Sequence, residues 1–146
     1  MKVFLASDHA GYALKTELVQ YLKQRGIPLE DLGTYSQKAV DYPDFAHRLA
    51  EQIRPGPDPV MGILVCATGI GMSIAANKHP GVRAALCHDA YTAEMARRHN
   101  DANVLCLGGT TTGLAVARQI VDIFLATPFD GGRHARRVAK LEVHHE

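Results

Sequence analysis

The chain contains no tryptophan, only three cysteines, and no apolar run near the roughly 18 residues that a membrane-spanning helix needs. Cys66, Cys87 and Cys106 are odd in number, lack CxxC spacing and lie in or at the tips of apolar runs. That pattern argues against a disulfide framework or a zinc site and fits reduced thiols, so a cytoplasmic setting is expected. Charge of one sign is also scarce. Sixteen Lys and Arg against 15 Asp and Glu leave a net charge of +1, which gives no field favouring nucleic acid or a membrane surface. No HExxH occurs, the histidines show no metal-ligand spacing, and no Gly-Lys-Ser/Thr completes a Walker loop. The opening Met-Lys-Val-Phe-Leu-Ala-Ser-Asp has too short an apolar stretch for a signal peptide.

What is present describes an ordinary globular chain. Hydrophobic residues make up 47% and charged residues 21% of 146 residues, which predicts one domain over 1–146 with a substantial core. Lys2 to Ser7 reads as a first strand, with Asp8 as a cap for the helix that follows. That helix carries Leu14, Leu18, Tyr21 and Leu22 on one stripe and ends at Gly26. Ile27 to Leu32 is a weaker strand, and Phe45, Leu49 and Ile53 mark a second helix. Met61 to Val65, Val82 to Leu86 and Asn103 to Leu107 supply three more strands. Between the last two, Asp89 caps a helix running to about His99, with Tyr91 and Met95 expected inward. A long helix carries Leu114, Ala117, Val121, Phe124 and Leu125 on one face, and a basic helix or tail starts at Arg133. Alternating strands and helices predict an α/β fold: a five-stranded parallel sheet with helices on both faces. Right-handed crossovers then gather the strand-to-helix turns along one sheet edge, where ligands bind in such folds.

The stretch from Met61 to Asn77 stands out. A buried strand ends in Cys66-Ala67-Thr68, then Gly69-Ile70-Gly71, and opens directly into a helix through Ser73. Such a turn aims backbone N–H groups and a positive dipole end at one point, and a cysteine there lies in a field that favours thiolate. Gly69-Ile-Gly71 by itself suits a bland tight turn as well as an anion cradle. The third glycine of a dinucleotide fingerprint is replaced by Ile74. Cys66 alone is as readily a small core hydrophobe as a reactive thiol. Asp8-His9 can be a cap and a surface histidine, and His99-Asn100 has a sufficient structural account as a helix end, with Asn100 suited to the left-handed cap. Arg133 and Arg137 fall four apart on one helical face, either a solvated face or two guanidinium forks on one phosphate.

Taken together, several pieces resemble the ribose-5-phosphate isomerase type B family, which includes galactose-6-phosphate isomerase subunits. They are Ser7-Asp8-His9-Ala10-Gly11, Asp41-Tyr42-Pro43, Cys66 to Gly71, Ala75-Ala76-Asn77-Lys78, Arg97 to Asp101 and Gly131-Gly132-Arg133-His134, within residues 2–141. The resemblance implies a Rossmann-like three-layer sandwich and no metal or organic cofactor. It also implies a homodimer or dimer of dimers whose active sites are shared between subunits. The implied reaction interconverts ribose 5-phosphate and ribulose 5-phosphate through an enediolate.

Position by position, Cys66 matches the family's proton-transfer base and Thr68 the residue assisting at the sugar hydroxyls. His99 matches the group that opens the furanose ring, with Asn100 beside it. Asp8, His9 and Tyr42 match substrate contacts, Ala67, Gly69, Ile70, Gly71 and Ser73 the turn around the enediolate, and Arg133 and Arg137 the phosphate clamp. One departure bears on substrate. Thr110 stands where many members carry arginine, which weakens phosphate binding or moves the preference toward a hexose 6-phosphate. A second places the chain in the family's cysteine branch, because Met72 occupies the position where another branch carries a glutamate base. A rival outside the family is a nucleotide-binding module, since open parallel sheets hold nucleotides at the same edge.

Overall fold

A computed structural model describes residues 1–143. The elements in chain order are β1 (Lys2–Ser7), α1 (Tyr12–Gln24), β2 (Leu29–Asp31), α2 (Tyr42–Ala50), β3 (Val60–Cys66), α3 (Ile70–Ala76), β4 (Ala84–Leu86), α4 (Ala90–Arg98), β5 (Val104–Gly108), α5 (Leu114–Ala126) and α6 (Arg133–Ala139). The five strands form one sheet in the order β2-β1-β3-β5-β4, and every pairing is parallel. This is the three-layer α/β arrangement that the alternation of elements predicts.

Strand alternation sends side chains to two separate cores. Val3, Leu5, Ile63, Val65, Leu105 and Leu107 pack with α1, α4 and α5 on one face, among them Leu18, Ala93, Ile120 and Phe124. Phe4, Ala6, Leu64, Cys66, Val104 and Cys106 pack with α2 and α3 on the other. The helix after β1 therefore lies on the opposite face from the helix after β3. Their connecting loops diverge, and a crevice opens between the carboxyl ends of those two strands.

Register aligns three strand tips at that end, with Ser7 opposite Val65 and Cys66 opposite Gly108. Glycines let the loop backbones above them touch. A Cβ at Gly11 would lie 2.2 Å from the Val65 carbonyl oxygen, one at Gly109 2.9 Å from that of Ala10, and one at Gly108 2.8 Å from the Thr68 backbone.

Some boundaries differ from expectation. β2 begins at Leu29, because Pro28 has no N–H and the Ile27 amide turns back to the Leu22 carbonyl at 3.1 Å. β4 begins at Ala84 because side chains replace the ladder just before it: the Asn103 amide oxygen accepts from the Arg83 N–H at 2.8 Å. Asn77 pairs with both backbone groups of Ala84 at 2.8 and 2.9 Å. Tyr91 points outward, 69% exposed, since α4 buries Ala93, Ala96 and Arg97 instead. Its inner face is made of alanines, which allow close approach to α5. Asp89 caps α4 as expected, in a reciprocal capping box with Thr92. Asp8 does not cap α1; its carboxylate accepts from the Gly11 N–H at 3.0 Å and closes the turn before the helix. No described helix is long and apolar enough to cross a membrane.

Candidate active site

β3 carries Cys66 to the carboxyl end of the sheet, 5% exposed among Ala6, Leu64 and Met72. The sulfur is not turned away from the glycine turn: the Gly69 N–H donates to Sγ at 3.1 Å. Gly69 sits at φ +80°, where an L side chain is strained, and a Cβ there would meet Leu86 at 2.6 Å. The Ile70 N–H donates to Thr68 Oγ1 at 3.2 Å, which leaves the threonine hydroxyl hydrogen free. Ser73 spends its hydroxyl hydrogen on the Ile70 carbonyl at 2.7 Å. The remaining first-turn amides of α3, at Gly71 and Met72, have no intrahelical acceptor. The Ala67 carbonyl is taken by the Thr110 N–H at 3.0 Å, so Thr110 abuts the turn.

Neighbouring loops wall this turn. Asp8 is 6% exposed, and its N–H reaches the Val65 carbonyl at 3.2 Å. His9 is exposed, and its Nδ1 accepts from the Val40 N–H at 3.2 Å, which fastens the segment before α2 to the β1 loop. Tyr42, at the start of α2 and 41% exposed, lies over Gly71, where a Cβ would sit 2.5 Å from its ring. Asp8, His9, Tyr42 and the turn from Cys66 to Gly71 are therefore gathered at one end of the sheet.

The other expected residues lie elsewhere. α4 runs back from the carboxyl end of β4, so His99 and Asn100 emerge at the amino end of the strands, next to the Asn103–Arg83 pairing. α5 returns to that same end, and α6 places Arg133 and Arg137, both exposed, beside His99. The His99 and His134 rings stack with centroids 4.2 Å apart and planes 9° apart. A cavity of about 280 Å³ is lined by His99, Asn100, His134, Arg137, Val138 and Leu141. The left-handed residue at this helix end is Asp101, φ +46°, rather than Asn100. Its carboxylate receives Arg97 at 3.1 Å and Arg83 at 3.3 Å, which fixes a conformation that aspartate tolerates better than most residues.

Within one chain, the Cys66 group and the His99–Arg137 group thus occupy opposite ends of the sheet. The other two thiols, Cys87 and Cys106, are buried. Burial pushes the Cys87 thiol up to about 11, and full burial pushes that of Cys106 higher still. Among the described residues, His99, Asp130 and His134 bring ligand-capable atoms within 4.8 Å of one another. Parallel stacked rings aim their nitrogen lone pairs side by side rather than at a common point, and Arg98 Nε already engages both Asp130 oxygens at 3.1 and 3.2 Å.

Two groups in the structure carry little or no sequence signal. Lys15 is fully buried, with Nζ 2.7 Å from Asp31 Oδ1 and donating to the Thr34 carbonyl, and it ties α1 to the chain after β2. No periodicity signals this, because a lysine inside an apolar stripe reads as solvated. Asp130 is equally silent, and His134 enters only within the matching piece Gly131-Gly132-Arg133-His134, because the roles of both depend on where the end of α4 lies.

Comparison with known proteins agrees with this geometry. The family model described as Ribose/Galactose Isomerase matches residues 3–141. The chain is 44% identical to ribose-5-phosphate isomerase B of Escherichia coli, over 96% of this chain and 93% of that one. It resembles the solved Clostridium thermocellum ribose-5-phosphate isomerase B with a TM-score of 0.93 and 51% identity, covering 97% of this chain and 95% of that one. The Trypanosoma brucei type B ribose 5-phosphate isomerase gives 0.89 and 50%, covering 96% and 95%. A glycine-locked turn over Cys66 and a near full-length match lead to one conclusion: the chain belongs to the ribose/galactose isomerase family.

Proposed function

We propose that this enzyme interconverts ribose 5-phosphate and ribulose 5-phosphate as a cytoplasmic homodimer, or dimer of dimers, and serves the pentose phosphate pathway. Cys66 is the base that moves the proton between C2 and C1. The observation that carries this reading is the Sγ held 3.1 Å from the Gly69 amide at the tip of β3. An N–H bond to sulfur strengthens as the sulfur gains negative charge. Backbone amides of the turn from Ala67 to Gly71, among them that of Gly71, supply donors for the enediolate oxygens, an oxyanion-hole role. The thiolate takes the C2 proton of the open-chain aldose, the C1 oxygen becomes an enediolate oxygen, and the same proton returns to C1 to give the ketose. Thr68, with its hydroxyl hydrogen free, assists transfer between the two oxygens. Asp8, His9 and Tyr42 wall the sugar.

Ring opening precedes these steps. The furanose must break its C1–O4 bond, with a proton delivered to O4 and another removed from the C1 hydroxyl. His99 is assigned to this exchange, Asn100 to the sugar, and Arg133 and Arg137 to the phosphate. Neither arginine is ion-paired with a described residue. Because these groups sit at the far end of the sheet from Cys66, they serve the crevice of a second copy. Ile70 and Ile74, 51% and 57% exposed and four apart on α3, offer that copy an apolar contact beside the site.

A hexose 6-phosphate is the second reading. Thr110 abuts the turn and carries no cation there. Turnover of ribose 5-phosphate and allose 6-phosphate by the purified enzyme tests both. Faster turnover of the pentose, lost in Cys66→Ala, is expected; equal or faster hexose turnover overturns the substrate, and an active Cys66→Ala removes the base.

A further inference from the structure

α6 has seven residues and buries one side chain, that of His134. An imidazole is a costly anchor where leucine would bury more apolar surface with no polar atoms to satisfy. Its ring lies flat on His99, centroids 4.2 Å and planes 9° apart. We propose that His134 is a positioning residue for His99, holding that ring in the plane from which it opens the cyclic sugar. The inference rests on the ring-opening role assigned to His99 above.

Two sets of contacts fix the stack. The Asp130 N–H donates to the Arg98 carbonyl at 3.0 Å, and Arg98 Nε returns to both Asp130 oxygens, so the segment before α6 is fastened to the last turn of α4. The His134 N–H closes onto the Gly131 carbonyl at 3.1 Å. His99 is the residue that ends α4, so both rings stand on elements joined within a few residues of them.

Charge then divides the labour between the rings. The groups around His134 are His99 and Arg98 from α4, Arg133 and Arg137 from α6, and Asp130 before it. Burial, then His99, Arg133 and Arg137, hold the His134 imidazole below the usual histidine range, with Asp130 opposing. A neutral ring over a protonated one is attractive, whereas two imidazolium rings in contact repel. His134 is thus biased toward its neutral form beside the ring assigned to the proton exchange. Through α6, the same stack fixes the distance from His99 to the two arginines.

The test compares kcat from ribose 5-phosphate, mostly cyclic, with kcat from ribulose 5-phosphate, whose C5 oxygen is phosphorylated and cannot close a ring. Both are measured with enzyme concentrated enough that turnover outruns spontaneous ring opening. His134→Leu keeps an apolar anchor without an aromatic face, and His134→Phe keeps the face. The leucine variant is expected to lose about tenfold from the cyclic sugar and less than about twofold from the ketose, with phenylalanine recovering most of the loss. Equal losses in both directions, or none, overturn the inference. His99→Asn run alongside separates the two claims. If it is selective for the cyclic sugar and His134→Leu is not, only the positioning role fails; if His99→Asn is unselective, the ring-opening reading itself fails. Should the leucine variant not fold, histidine NMR on the native protein decides. His134 should titrate below about 6.5 and its titration should shift the His99 ring signals; an ordinary His134 titration with no response at His99 overturns the inference.

Discussion

At the carboxyl end of the sheet, Gly11, Gly108 and Gly109 let three loop backbones touch, and the Cys66 sulfur is held by an amide inside that packed floor. At the amino end, α4 and the short α6 meet through stacked imidazoles and ion pairs, with Arg133 and Arg137 exposed. The first region is assembled by backbone and tolerates almost no added atom. The second is assembled by side chains and leaves its cations free. Under the proposed reaction the contrast matches a division of work: chemistry on C1 and C2 needs donors fixed to a fraction of an ångström, whereas seizing a phosphate needs charge that can be presented to another copy.

Breaking either region should give a distinct signature. The largest effect is expected from Cys66→Ala, with turnover falling by about 10³-fold and little change in the melting curve; a loss below tenfold would contradict the base assignment. His99→Asn should lower kcat from the cyclic sugar by about 10²-fold while sparing the open-chain ketose, as rapid-mixing assays with each sugar would show. Gly11→Ala forces a Cβ to 2.2 Å from the Val65 carbonyl and should cost about 1–3 kcal/mol. Gly56→Ala, with nothing within 4 Å, should leave denaturant unfolding nearly unchanged. A Cβ at Gly71 would have the Tyr42 ring as its nearest neighbour, and that ring is half-exposed and can swing aside. A several-fold rise in KM with unchanged stability is therefore expected.

The smallest effect is one of pH. His134 is held below its unfolded value of about 6.5. The unfolded chain therefore binds its proton first as pH falls. Its contribution to stability is complete above about pH 6.5 and is lost as pH drops through the lower folded value. Hydrogen exchange should show α6 loosening on acidification while the Cys66 turn stays protected.

Much of the carboxyl end was readable in advance. A buried apolar run, a glycine turn and a helix start are local features, and the end of the apolar run puts Cys66 at a tip without knowledge of its neighbours. The glycine contacts were not readable, because Gly11 touches Val65 and Gly109 touches Ala10 only once the sheet order is known. Tyr91 misled because bulk reads as core, whereas α4 turns its alanines inward. At the amino end, His99, Asn100, Arg133 and Arg137 entered by family resemblance, but their distance from Cys66 follows from α4 and α5 each running back along the sheet. Asp130, and the stack of His134 on His99, join segments some 30 residues apart by a contact that no sequence pattern encodes.

The most direct test of a site built from opposite ends of two copies is complementation between inactive variants. Cys66→Ala and Arg137→Ala, each inactive alone, are unfolded together, refolded as a mixture and assayed on ribose 5-phosphate. If the ends serve each other across a two-fold axis, mixed dimers hold one intact site each, and about one quarter of native activity should return. No recovery in mixtures shown to contain mixed dimers would contradict the shared site.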